Sequence, residues 1–307
     1  MEAEAARFAV ALALGLSSLP VFAQSASPQA ANASERDIGQ PEKGSAASKA
    51  PEPARSEDEP ELDLLTFHRS NYMLSGFTDD TQVKFQFSIK YDFWPSTSHH
   101  TVYFAYTQKS LWDIYDRSSP FRESNYAPEL FYAHYHSEVH GQPEPGCGLF
   151  SEQVGIEHES NGEANDASRS WNRVFVDAEA TCYGRPLYGL LGLRLWYPLG
   201  TGENETITKT QGYGELSFGL GIDHDSSHMN ALVTVALRKG MSRDLGRGSL
   251  TLDARWRPTY RRLIGKAWKF APYVWFQWFV GYGETLGTYD SPSSSARLGI
   301  GFTDRSR

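Results

Sequence analysis

The chain has 307 residues, a formal net charge of −8 and 40% hydrophobic residues, with a mean hydropathy of −0.48 and a pI near 5.6. The acidic balance leaves no basic footprint for nucleic acid, so that class of partner is excluded. Aromatic residues reach 13%, with 16 Tyr, 17 Phe and 8 Trp, as expected where rings form girdles at membrane interfaces. A soluble β-sandwich rich in Tyr and Trp is the other reading of composition alone.

Phe8 to Val21 is an apolar run that ends in Val21-Phe22-Ala23. Small residues there suit signal-peptide cleavage after Ala23, although Glu2 and Glu4 make an unusual leading region. The run is too short to span as a helix, and no other segment approaches the ~18 apolar residues a span requires. From Gln24 to about Leu62 the chain is dominated by Ala, Ser, Pro, Glu and Gln. Such a segment buries too little apolar surface to order itself, and is read as a disordered periplasmic lead. Residues 63–307 are read as one β domain.

Alternation begins near His68 to Phe77. Val83 to Tyr91 is the clearest run, apolar at every odd position and polar at every even one. Runs follow at Thr101 to Ser110, Glu129 to His136, Phe150 to His158, Trp171 to Cys182 and Leu187 to Tyr197. Five more lie at Gly212 to Ile222, Asn230 to Arg238, Ser249 to Arg257, Tyr273 to Tyr282 and Ser295 to Thr303. About twelve segments of ~10 residues predict an all-β, transmembrane antiparallel β-barrel. Alternation alone does not say which face meets lipid. A membrane barrel would turn Val83, Phe85, Phe87, Ile89 and Tyr91 outward and Lys84, Gln86, Ser88 and Lys90 inward.

His158 and Ser160 are two apart, so on a strand they share a face. A base beside a nucleophile is the minimal constellation for acyl transfer. A hairpin would return Asn172 beside His158, adding a carboxamide to hold the imidazole. That hairpin brings Cys147 and Cys182 one residue out of register. A disulfide then needs a bulge, for which Gly146 and Gly148 are candidates, and two free thiols fit equally well. His134, His136 and His140 read as a polar wall, since no acidic or Cys partner lies at ligand spacing. Glu129, Arg194, Glu215 and Lys239 read as lumen charges.

His158-x-Ser160-Asn161-Gly162 and Ser168-Arg169-Ser170-Trp171-Asn172-Arg173 together resemble the outer membrane phospholipase A family of Gram-negative bacteria. Tyr106-Thr107-Gln108-Lys109-Ser110-Leu111-Trp112 and Ser118 to Tyr126 extend the resemblance, and Gly281 to Leu286 adds a weaker match. The resemblance implies a twelve-stranded outer membrane barrel that hydrolyses phospholipid acyl esters at either glycerol position. It implies Ser160 as nucleophile, His158 as general base, Asn172 as its orienter and the Gly162 N–H in the oxyanion hole. It further implies calcium as cofactor, held by the Ser168 side chain, the backbone carbonyl of Glu163 and Ser118 of the partner subunit. Activation by homodimerisation is implied too, with Gln108 at the interface. Assembly machinery of the outer membrane is a further expected partner. Glu163 departs from the family pattern, and so does the non-aromatic ending at Arg307. The competing readings are a non-enzymatic channel or structural barrel, and a soluble esterase. The second would carry Gly-x-Ser-x-Gly, which is missing around Ser160.

Overall fold

A computed structural model describes residues 64–77, 82–94, 99–136, 146–184, 186–222, 231–244, 246–257 and 272–302. The expected signal peptide (1–23), the lead (24–62), His140 and the chain end after Phe302 lie outside the described residues.

The described chain is almost entirely strand: β1 (Leu65–Phe67), β2 (Asn71–Gly76), β3 (Val83–Asp92), β4 (His100–Trp112), β5 (Phe121–Tyr135), β6 (Gly146–Ser160) and β7 (Ser170–Gly184). These are followed by β8 (Leu187–Gly200), β9 (Gly214–Ile222), β10 (Ala231–Lys239), β11 (Gly248–Trp256), β12 (Tyr273–Tyr282) and β13 (Pro292–Phe302). Each of β2 to β13 pairs antiparallel with its sequence neighbour, and β2 also pairs with β13. The ring therefore closes as a twelve-stranded barrel with no free edge. β1 lies on the same edge of β3 as β2, and His68-Arg69-Ser70 breaks the run between them.

The polarity of the faces is that of a membrane barrel. Along β3, Phe87 is 48% and Tyr91 41% exposed, whereas Lys84 is 5% and Ser88 0% exposed. An ammonium inside and rings outside is the reverse of a soluble barrel. Leu191, Leu193, Leu195 and Leu199 of β8 and Phe218 and Leu220 of β9 continue the outward apolar belt.

The lumen is filled with paired charges. Arg194 contacts Glu129 at 3.1 Å, Glu157 at 2.9 Å and Asp177 at 3.2 Å. Arg69 reaches Glu129 at 2.8 Å from the break between β1 and β2. Lys84 donates to Gln277 at 2.7 Å and to Glu284 at 3.2 Å, and Arg297 pairs with Glu284. Buried charges persist only when paired in this way. Glu215 joins the lumen set through Arg238 at 2.6 Å. Lys239 does not: its ammonium donates to four backbone carbonyls of the β10–β11 turn, among them Ser242 at 3.0 Å and Asp244 at 2.9 Å.

Two inserts plug one end. The short helix α1 (Ile207–Gln211) buries Ile207, Thr210 and Gln211. The β12–β13 loop sends Glu284 inward and hangs on β5, with the Leu286 N–H donating to Asn125 Oδ1 at 3.1 Å and the Gly287 N–H to Glu123 Oε1 at 2.6 Å. Gly283 is required where loop meets helix. Its φ is +71°, a backbone conformation in which any other side chain is strained. A cavity of about 110 Å³ remains between Lys109, Glu159, Arg173, Gln211 and Arg238.

Candidate active site

β6 and β7 form the hairpin that the sequence suggests, with His158 opposite Asn172 and Ser160 opposite Ser170. Alternation turns Glu157 and Glu159 to the lumen and His158, with its neighbour Ile156, to the outer wall. Both His158 and Asn172 are exposed. The His158 Nδ1–H donates to Asn172 Oδ1 at 2.9 Å. That bond leaves Nε2 as the acceptor nitrogen. Ser160 shares the face, roughly 6.7 Å further along the strand. Among the described residues its hydroxyl makes no hydrogen bond.

Beneath this pair lies a rigid lumen bracket. Arg173 Nη2 contacts Glu157 at 2.8 Å and Glu159 at 2.9 Å, and its guanidinium lies 3.9 Å over the Trp171 ring. The Trp171 indole N–H donates to Glu159 at 2.9 Å. Residues that alternate with His158 and Asn172 along β6 and β7 are thus clamped together on the opposite face.

The loop after β6 is built around Asn161, which is buried. Its Oδ1 accepts the Glu163 N–H at 3.2 Å and the Arg169 N–H at 2.9 Å, and its Nδ2 donates to the Ala167 carbonyl at 2.8 Å. This pinches residues 161–169 into a compact lobe containing one 3₁₀ turn, Asn165–Ala167. Gly162 sits in the lobe at φ +70°, and a β-carbon there would lie 2.9 Å from Tyr126 Cε2. Tyr126 is itself opposite Ser160. Glu163 and Asp166 are exposed, and the Ser168 hydroxyl has no partner among the described residues. Hydroxyl, carbonyl and carboxylate oxygens at one lobe suit a hard cation such as calcium.

Ser118 occupies the β4–β5 turn at the same end of the barrel, exposed and with φ +74°. The turn is stabilised by the Trp112 indole N–H donating to the Ser119 carbonyl at 2.8 Å and by the Ser119 hydroxyl donating to the Ile114 carbonyl at 3.0 Å. Gln108 lies on the outward face of β4, between Phe87 and Tyr126 on the flanking strands. Its Oε1 accepts from the Tyr106 hydroxyl at 3.3 Å, and its Nε2 donates to Ser110 at 3.2 Å.

An apolar groove of about 480 Å³ opens beside the pair, walled by Phe104, Pro128, Leu130, Ile156 and Leu199. Pro128 stands in mid-strand. The β5–β6 ladder runs through Tyr126–Ser160 and resumes at Glu129–Glu157, skipping the positions opposite His158 and Glu159. Proline lacks the N–H a continuous ladder needs.

The cysteines are bridged and directly opposed, Cys147 to Cys182. The bulge that restores register is at Phe150, between Leu149 and Ser151, and not at the flanking glycines. The premise of the polar-wall reading, that no acidic partner lies at ligand spacing from His134 and His136, does not hold. Register brings Glu152 opposite His134, within 3.5 Å of His134 and 3.3 Å of His136. Asn161 and Pro128 carry no sequence signal of their roles, since a loop asparagine and a strand-breaking proline look ordinary.

Residues 53–303 match the family model described as Phospholipase A1. Phospholipase A1 of Escherichia coli K12 is 31% identical over 228 residues, covering 72% of this chain and 68% of the relative. That of Salmonella typhimurium is 30% identical over 240 residues, covering 76% and 72%. Outer membrane phospholipase A from E. coli superposes with a TM-score of 0.63 at 27% identity, over 78% of this chain and 98% of that one. An active-site asparagine-to-alanine mutant of the E. coli protein gives a TM-score of 0.65 at 26% identity, over 81% and 95%. The Salmonella typhi outer membrane phospholipase, solved as a dimer with bound calcium, gives 0.64 at 26% identity, again over 81% and 95%. Sequence and fold agree that this chain belongs to the phospholipase A1 family and is a phospholipid hydrolase of the Gram-negative outer membrane.

Proposed function

We propose that the chain cleaves phospholipid acyl esters with Ser160, His158 and Asn172 as a catalytic triad, assisted by calcium and switched on by homodimerisation. The observation that carries this reading is the 2.9 Å His158–Asn172 bond on the outer wall, beside an apolar groove. Acyl chains occupy the groove while the ester meets Ser160. The Ser160 hydroxyl gives its proton to His158 Nε2 as its oxygen attacks the ester carbonyl. The Gly162 N–H donates to the resulting oxyanion. His158 then returns the proton to the departing lysophospholipid oxygen, leaving an acyl ester on Ser160. Water, deprotonated by His158, attacks that ester, and His158 returns the proton to the Ser160 oxygen as the fatty acid leaves. Asn172 orients the imidazole without placing a carboxylate against lipid, where an unpaired charge is costly.

Ser168, the Glu163 carbonyl and Ser118 of the partner subunit would hold the calcium. When bound, the ion offsets negative charge on the oxyanion as a Lewis acid. A ligand set shared between subunits links metal binding to dimerisation. Gln108 supports the same arrangement, because an amide facing lipid gains from a polar partner on a second subunit. The dimer with calcium known for the Salmonella typhi relative, and the active-site asparagine of the E. coli relative, support both assignments by similarity. Export by a 1–23 signal, a 24–62 periplasmic lead and insertion by the assembly machinery complete the reading.

The deciding experiment is phospholipid hydrolysis by refolded protein, with calcium or chelator, for wild type and Ser160→Ala. Calcium-dependent fatty acid release that the Ala variant abolishes is the expected result. Release that survives Ser160→Ala removes the nucleophile assignment. Conductance without hydrolysis would favour the channel reading, which the plugged end opposes.

A further inference from the structure

We propose that His134, His136 and Glu152 form a zinc-binding site on the outer wall, at the end of the barrel away from Ser160. Glu152 lies opposite His134 across the β5–β6 ladder. Alternation puts His134 in line with Leu130 and Glu152 in line with Ile156 and His158, all outward. Six residues separate Glu152 from His158 on one strand, a distance of about 20 Å. The cluster is therefore separate from the proposed catalytic machinery and its calcium lobe.

Its geometry is convergent. His134 Nδ1 lies 3.5 Å and His136 Nε2 lies 3.3 Å from the same oxygen, Glu152 Oε2. All three ligand atoms fall within 4.8 Å of one another. An ion bound tetrahedrally at about 2.0–2.2 Å keeps its ligands roughly 3.3–3.6 Å apart. Two of the three edges already have that length. His100 stacks on His134 with ring centroids 4.3 Å apart, and its own Nδ1 meets the Tyr132 hydroxyl. That stack limits the rotation of the His134 ring, as outer groups around metal ligands commonly do.

The donor set names the ion. Two imidazoles and one carboxylate suit zinc, whereas calcium takes oxygen ligands. The side chains are part-exposed, so a fourth position stays open. An ordinary ion-pair cluster would use the same residues, and affinity for zinc separates the two.

The test is a zinc titration of the full chain refolded in detergent, read against a chromophoric chelator in excess calcium. Wild type and His158→Gln are expected to take one equivalent each. Glu152→Gln should weaken binding by at least about 10-fold, no less than loss of an outer partner costs. The pair His134→Gln with His136→Gln should abolish it. Heat-modifiable migration checks the fold, and Glu152→Gln decides alone if the double variant fails to insert. No uptake by folded wild type overturns the proposal. So does equal binding by Glu152→Gln, or binding lost in His158→Gln, which would place the ion at the catalytic residues.

Discussion

Gly162→Ala tests the proposed oxyanion hole from the backbone outwards. The residue sits at φ +70°, where a β-carbon costs about 1–2 kcal/mol. The added methyl would also lie 2.9 Å from Tyr126 Cε2, against a usual carbon–carbon separation of about 3.5–4.0 Å. Tyr126 pairs with Ser160 across the ladder, and with its ring in place the lobe must lift by roughly 0.6–1.1 Å to regain that spacing. Lifting carries the Gly162 N–H away from the reacting oxygen. A lost oxyanion donor is worth about 2.7–4 kcal/mol, or roughly 100- to 1000-fold in kcat. The variant should therefore remain a heat-modifiable barrel, only about 1–2 kcal/mol less stable, with kcat down about 100-fold and little change in KM. The assay is initial-rate hydrolysis in mixed micelles at saturating calcium. A kcat within about threefold of wild type, in a folded variant, would refute the assignment of this N–H.

Asn172→Ala removes the acceptor of the 2.9 Å bond from His158; at about 1–3 kcal/mol, kcat should fall roughly 5- to 150-fold. Asn172→Asp, which keeps an acceptor, should retain more activity, and equal rates for Ala and wild type would remove Asn172 from the triad. Arg173→Met takes the cation from Glu159 while Glu157 keeps Arg194, so denaturant unfolding should show a loss of about 1–3 kcal/mol; an unchanged midpoint would mean that the bracket contributes nothing. Replacing Cys147 and Cys182 by Ser opens a crosslink with a sequence separation of 35. The expected loss is about 3–4 kcal/mol, seen as a lower guanidinium midpoint that no longer responds to reductant.

Much of this architecture is legible in the residue pattern, and the gaps have physical causes. Val83 to Tyr91 announces a strand, but its alternation is the same for either polarity; only the burial of Lys84 and Ser88 decides which way the barrel faces. His158, Ser160 and Asn172 can be placed together because parity and one hairpin suffice. Glu152 could not be assigned to His134 and His136, since cross-strand neighbours depend on register. The Phe150 bulge shifts that register by one on the other edge of β6 and brings the cysteines face to face. β5 starts at Phe121, eight residues before the alternation is evident. Pro128 hides it, because proline normally ends a strand and here marks the ladder gap opposite His158.

With the proposed triad opening onto the outer wall at His158 and Asn172, substrate arrives in two dimensions. The quantity that governs turnover is the mole fraction of phospholipid in the surrounding leaflet, not its concentration in bulk water. Diluting the substrate with inert detergent at constant total lipid should slow the enzyme as effectively as removing lipid. Lysophospholipid and fatty acid also leave sideways, into the sheet of molecules from which the next substrate comes. Product accumulates in the first ring of lipids around the barrel before it reaches anywhere else. Lateral exchange of that ring thus sets an upper limit on sustained turnover.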